Sequence, residues 1–216
     1  MKTLALLSGG KDSFLSAQIA MEQGYDVAAA LTVIPEEFSM MFHYPNAAKA
    51  EMVASLLGVP WATTTEKDFS ATVENYAKKG FRAVTVGAIA SEYQKTRVER
   101  LCTRLGIMSF LPLWRKEQNF ILRELQLRGI SAMIVSVSAE GFDGRDLGRI
   151  IDGEYIRELQ RKNERYGINV SGEGGEYETF VVSARGMGRL EILESEKVWE
   201  GSHGYLLLKD VRKKGN

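Results

Sequence analysis

One cysteine in 216 residues, Cys102, rules out an intrachain disulfide and any cysteine-built metal cluster, and it fits a reducing compartment. Histidine is nearly as scarce, with two, His43 and His203. Neither sign of charge is in excess: 28 Lys+Arg stand against 28 Asp+Glu, a formal net charge of +0. That argues against a dominant, sequence-independent nucleic-acid surface. No apolar run reaches about 18 residues, so no segment is expected to span a membrane. There is no repeat and no low-complexity segment. The chain enters its first apolar run at once, without a charged leader or a small-residue cleavage site, so a cytoplasmic protein is expected. The length suits one large α/β domain, or a nucleotide domain with a smaller appendage.

What the chain does have is alternation. Apolar, β-rich runs at 4–7, 25–34, 59–65, 82–86, 107–114 and 130–137 read as strands. Between them, 14–21, 47–57, 68–79, 91–104 and 118–128 carry helical stripes, several of them closed by a glycine. At 91–104 the stripe is Val98, Leu101, Cys102 and Leu105. Such alternation predicts an α/β fold with a doubly wound, Rossmann-like parallel sheet. Past Ser138 the texture changes. A glycine- and charge-rich stretch at 141–153 precedes a charged helix at 154–166. Strands follow near 180–182, 190–193 and 205–208, and the last residues from Lys213 onward are expected to fray. A soft boundary at 129–138 divides the chain into 1–133 and a smaller α+β domain at 134–216.

The stretch around which the rest is organised is Ser8-Gly9-Gly10-Lys11-Asp12-Ser13. It joins the first strand to the first helix. Two glycines let backbone N–H groups approach an anion, and the helix dipole turns its positive end towards it. Neither the Walker spacing nor the GxGxxG spacing is present. By form alone the loop holds a phosphate, with Asp12 free to hold a magnesium ion. In an open α/β sheet, ligands sit beyond the carboxyl ends of the strands, so adenine is expected near Leu31, Thr32 and Val33 and near Gly87.

Three further segments carry chemistry-bearing residues. Gly87 leads into a helix bearing Tyr93, Gln94, Lys95 and Arg97. Arg97 has no carboxylate at i+3 or i+4, which leaves a phosphate or substrate role and an ordinary solvated cation both open. Glu173-Gly174-Gly175-Glu176-Tyr177-Glu178-Thr179 puts three carboxylates in six positions around two glycines. It reads either as a flexible acidic turn or as a loop that helps hold magnesium or an ammonium nucleophile. The segment at 40–46 holds His43, and Asn46 is expected to cap the helix that follows.

The Ser8–Ser13 run after an N-terminal strand resembles the PP-loop of the N-type ATP pyrophosphatases, enzymes that split ATP into AMP and pyrophosphate. Taken with His43 to Asn46, Gly87-Ala88-Ile89, Tyr93-Gln94, Arg97-Val98-Glu99, Pro112-Leu113-Trp114 and Gly172 to Thr179, the chain resembles the diphthine–ammonia ligase branch of that superfamily. The match runs from residue 3 to about 182, and the Gly-Glu-Tyr-Glu-Thr run is its most specific part. The resemblance implies a nucleotide domain of the adenine nucleotide alpha hydrolase type, in a minimal, archaeal-type form without appended domains. It implies ATP and Mg²⁺ as cofactors, and as partners ammonium and the diphthine side chain of translation elongation factor two. Ser8, Gly9, Gly10, Lys11, Asp12 and Ser13 would cradle the phosphates, with Asp12 on the metal. Lys11 and Arg97 would offset developing charge, and Glu176 and Glu178 would bound the acceptor side. His43, Asn46, Tyr93, Gln94, Gly174, Gly175, Tyr177 and Thr179 would line the substrate. A tRNA-modifying PP-loop enzyme, a non-catalytic nucleotide sensor and a small-carboxylate ligase remain open beside it, as does a homo-oligomer.

Overall fold

A computed structural model describes residues 1–34 and 46–214. Contacts divide the chain into two compact units, Met1–Arg115 and Lys116–Asn216.

The first unit is a five-stranded parallel sheet. Its strands are β1 (Lys2–Leu6), β2 (Asp26–Ile34), β3 (Trp61–Thr65), β4 (Ala83–Thr85) and β5 (Met108–Phe110), in the order β3-β2-β1-β4-β5. The helices are α1 (Lys11–Glu22), α2 (Ala50–Leu57, preceded by a 3-10 turn at Ala47–Lys49), α3 (Phe69–Lys78) and α4 (Glu92–Leu105). The strand order reverses at β1, because the chain winds one way through β2 and β3 and then returns to β4 and β5. Alternation along the strands then sorts residues between two faces. Leu4, Leu31, Val84 and Val86 pack with Phe69 and Val73 of α3 and with Val98, Leu101 and Cys102 of α4. Thr85 points the other way and meets Ser16 of α1, hydroxyl to hydroxyl at 2.7 Å. The stripe expected on α4 is therefore the buried one. Ser91 caps that helix by accepting from Gln94 N, and Gly106 closes it in the left-handed conformation at φ 64°. Cys102 lies in this apolar layer, where burial raises its thiol pKa to about 11, so it is inert at neutral pH.

The second unit contains α5 (Gln118–Arg128), β6 (Ser131–Val137), α6 (Gly153–Tyr166), β7 (Tyr177–Ala184), β8 (Gly188–Glu200) and β9 (His203–Lys214). The four strands close into an antiparallel barrel, with β6 paired to β7 along its length and to β9 at Ser136 and Val137. Ile134, Phe180, Val181 and Leu208 are all buried, with the neighbours Phe180 and Val181 on opposite faces of β7. The 139–150 segment, whose glycines suggest looseness, is pinned by a buried carboxylate. Asp146 accepts from Tyr155 Oη at 2.8 Å and from Asp143 N at 2.8 Å, and Lys162 lies 3.3 Å away.

Four expectations shift. The strand at 130–137 and the helix before it continue the β–α alternation in sequence, yet β6 takes its partners from β7 and β9. The division by contacts accordingly precedes α5, at 115/116 rather than 133/134. Lys213 and Lys214 do not fray, since they pair with Leu190 and Arg189. Tyr177 and Glu178 belong to a strand, not to the glycine loop.

Candidate functional site

The turn from β1 to α1 is held open by its own hydroxyls. Ser8 N donates to Ser13 Oγ at 3.1 Å, the two hydroxyls meet at 3.1 Å, and Ser13 Oγ donates to Gly10 O at 3.0 Å. Gly9 has φ 90°, a conformation that side chains resist, and Gly10 opens the helix with no side-chain cap. An uncapped start leaves the positive end of the helix to an incoming anion. Lys11 is only 3% exposed, and its Nζ donates to Asp12 Oδ2 at 2.7 Å. Asp12 Oδ1 is buried with no donor among the described residues. A lone acceptor beside a phosphate-shaped turn fits a magnesium ion held by one carboxylate, with phosphates and waters completing its shell. No group of three or more His, Cys, Asp or Glu residues among those described offers an all-protein cage instead.

Gly87, at the end of β4, has a role that its position as an adenine neighbour did not suggest. A Cβ there would stand 2.6 Å from Asp12 C and Ser13 N. Its missing side chain is what lets α1 begin where it does. Leu31 and Thr32 are buried, and Thr32 Oγ1 donates to Leu7 O at 2.5 Å while accepting from Trp61 Nε1 at 2.8 Å. Thr32 thus fixes the strand end that launches the Ser8 turn. Val33 is half-buried.

On α4, Tyr93 is 69% exposed and Gln94 is exposed. Arg97 donates to Glu66 O at 2.8 Å and meets Glu66 Oε2 at 3.3 Å. Glu66 lies 31 residues upstream, at the end of β3, so no spacing rule reveals the pair. The local i,i+4 pair on this helix is Lys95–Glu99 at 3.1 Å. Asn46 is fully buried, but its side chain does not cap the following 3-10 turn; its carbonyl accepts from Lys49 N at 2.8 Å instead. His43 lies outside the described residues.

In the second unit, the glycine–glutamate loop is a built object. Glu176 Oε1 accepts from Asn169 N at 2.8 Å, Tyr177 Oη donates to Val170 O at 2.7 Å, and Ser138 Oγ donates to Gly175 O at 2.6 Å. Gly175 has φ 83°, and a Cβ on Gly174 would meet Glu176 Oε1 at 2.7 Å. Glu176 is turned into its own loop, with Oε2 buried and unbonded among the described residues. Thr179 is buried on β7. Glu178 is half-buried opposite Ser136, and burial pushes its carboxyl up to about 7. A carboxyl poised there can take or give a proton at working pH.

That position has a stability cost with a definite sign. Between about pH 4.5 and 7 the unfolded carboxyl ionises while the folded one stays neutral, so stability falls as pH rises through that window. The shift corresponds to at most about 3 kcal/mol. Glu178→Gln is therefore expected to melt several degrees higher than wild type at pH 8 and to match it at pH 4 in calorimetric scans. An equal offset at both pH values would contradict a buried, neutral carboxyl.

Comparison with known proteins gives one family for both units. The description "Diphthamide synthase N-terminal domain" matches residues 1–109, and "Diphthamide synthase C-terminal domain" matches residues 117–214. The chain is 31% identical to the "Diphthine--ammonia ligase" of Schizosaccharomyces pombe, over 94% of this chain and 38% of that protein. It is also 31% identical to the one of Homo sapiens, over 92% of this chain and 85% of that protein. A solved structure, "predicted subunit of tRNA methyltransferase from Methanocaldococcus jannaschii DSM", aligns with TM-score 0.44 and 19% identity over 86% of this chain and 98% of that one. A likeness of that depth bears on neither fold nor function. With both family domains present in order across nearly its whole length, the chain belongs to the diphthamide synthase (diphthine–ammonia ligase) family.

Proposed function

We propose that this chain is an ATP-dependent diphthine–ammonia ligase, amidating the diphthine carboxylate of translation elongation factor two in diphthamide biosynthesis. The acceptor carboxylate oxygen bonds to the α-phosphorus of ATP, and the α–β phosphoanhydride breaks to release pyrophosphate. Ammonia then attacks the acyl carbon, AMP leaves, and one proton is lost to solvent. The chain offers no catalytic thiol, because Cys102 is buried, so ammonia comes from solution.

The observation that carries this reading is the Ser8–Ser13 turn within a chain that matches both family domains. Gly9, Gly10 and the uncapped start of α1 bind the polyphosphate, with the Ser8 and Ser13 hydroxyls fixing the turn. Asp12 would hold Mg²⁺, which would supply charge neutralisation on the departing phosphates. Lys11, buried against Asp12, adds a fixed positive charge, so the work is positioning and electrostatics. Arg97, engaged by Glu66, steadies the end of β3. Glu178 exchanges the proton on the acceptor side, and Glu176 shapes the loop that presents it. Leu31 to Val33 and Gly87 bound the adenine. Among the described residues no helix is long and apolar enough to cross a membrane. The acceptor is a translation factor, and the reaction is proposed to run where translation does, in the cytoplasm.

The test is one assay with purified protein, ATP, Mg²⁺, ammonium and diphthine-bearing elongation factor two. Expected are AMP and a carboxyl-to-carboxamide mass change on the acceptor in equal amounts. AMP with no mass change would point to another carboxylate. No AMP with any acceptor would leave a nucleotide sensor.

A further inference from the structure

A cleft of about 790 Å³ opens on the first unit between α3 and α4, on the face away from α1. Its floor is apolar, formed by the buried Phe69 and Leu101, and Tyr93 stands exposed at its rim. Arg97, Arg100 and Arg104 follow one another along α4 at i, i+3 and i+7, so all three point along this cleft. Two carboxylates also line it, and both are engaged. Glu66 pairs with Arg97, and Glu92 pairs with Arg115 at 2.9 Å. Arg104 donates to Ser70 Oγ, a neutral partner. Arg100 has no hydrogen bond or ion pair among the described residues, and it is exposed. On a chain of zero net charge this strip holds Arg100 without a paired carboxylate and Arg104 bonded to Ser70, the nearby carboxylate, Glu74, being already paired with Lys78, and both stand beside aromatic surface.

Arginine and tyrosine over an apolar floor is the composition of a protein-binding hot spot. Nucleic acid fits less well, because backbone tracking draws on a longer row of cations than two. The cleft also has a direction. Glu66 follows β3 and Glu92 begins α4, so its upper end lies at the carboxyl edge of the parallel sheet. The Ser8–Ser13 turn leaves β1 at that same edge.

We propose that the α3–α4 cleft docks a carboxylate-bearing segment of the acceptor protein, with Arg100 and Arg104 reading its charge and Tyr93 covering its apolar part. This rests on the ligase reading for the identity of the acceptor. The surface holds the acceptor away from the reacting atoms, so it governs acceptor affinity and leaves ATP binding alone.

The experiment measures two binding constants that need no turnover, for diphthine-bearing elongation factor two and for Mg-ATP, by calorimetry on wild type and the Arg100→Glu/Arg104→Glu double variant. Expected is a loss of about tenfold or more in acceptor affinity with the Mg-ATP constant unchanged, and recovery in Arg100→Lys/Arg104→Lys. Wild-type acceptor binding should weaken with added salt, and the Glu variant's should not. Unchanged acceptor affinity in the Glu variant overturns the proposal, as does a parallel loss of ATP binding, which would mean a disturbed helix. Arginine-dependent binding of a single-stranded RNA oligonucleotide, without acceptor binding, also overturns it. Acceptor binding that depends on the arginines but gives no amidation would refute the ligase reading and leave the docking surface standing.

Discussion

Asp12→Asn is expected to reduce pyrophosphate release by at least about a hundredfold while the far-ultraviolet circular dichroism stays that of wild type. Asparagine keeps the shape of the side chain, and its carbonyl can still accept from Lys11 Nζ, which sits 2.7 Å from Asp12 Oδ2. What it removes is the charge on Oδ1, a buried side-chain acceptor that nothing in the described residues satisfies. A carboxylate oxygen left in that state raises the energy of the empty protein. It is explained if a cation completes it. Magnesium titrated into the variant in the presence of ATP should show weakened metal dependence. A variant that releases pyrophosphate at the wild-type rate would remove Asp12 from the chemistry.

Gly87→Ala should be nearly as damaging, for a different reason. The added methyl would lie 2.6 Å from Asp12 C, 2.6 Å from Ser13 N and 2.7 Å from Asp12 O. All three are main-chain atoms in the first turn of α1, so no rotamer change relieves the clash. Either β4 or the start of the helix must move. Overpacking of this kind costs about 1–3 kcal/mol. A displacement near 1 Å of a phosphate-positioning turn costs about a hundredfold in rate. The variant is expected to stay folded, melt lower than wild type and release pyrophosphate about a hundredfold more slowly. Activity within a few-fold of wild type would show that the turn tolerates the shift, and that the close approach of β4 to α1 is incidental.

The sequence made the first unit legible because its signals are local. A four-residue apolar run at 4–7, a paired glycine turn and a helical stripe ending in Gly106 each determine their own stretch of chain. The nucleotide turn is legible for the same reason, since Ser8 and Ser13 are bonded across five residues. What stayed hidden is long-range. The pairing of β6 with β7 joins Val137 to Tyr177, and nothing in either segment states which sheet it enters. The Glu66–Arg97 pair and the Trp61–Thr32 hydrogen bond span 31 and 29 residues. Gly87 drew attention because it ends the fourth strand, but the sequence cannot say that the first turn of α1 packs against its Cα. Glu176 and Glu178 look alike in the sequence and differ only through burial and one donor, Asn169 N.

Under the proposed function, the self-bonded loop before β7 has a consequence for how tightly an acceptor can be held. A flexible acidic turn would lose conformational entropy on closing around a guest, at about 1–2 kcal/mol for each residue ordered. Here Asn169, Gly172, Gly175 and Tyr177 are already tied by internal bonds, so the segment is preorganised and that loss has been met during folding. Recognition by this segment should therefore behave as docking onto a rigid template, with favourable contacts reaching affinity largely undiminished.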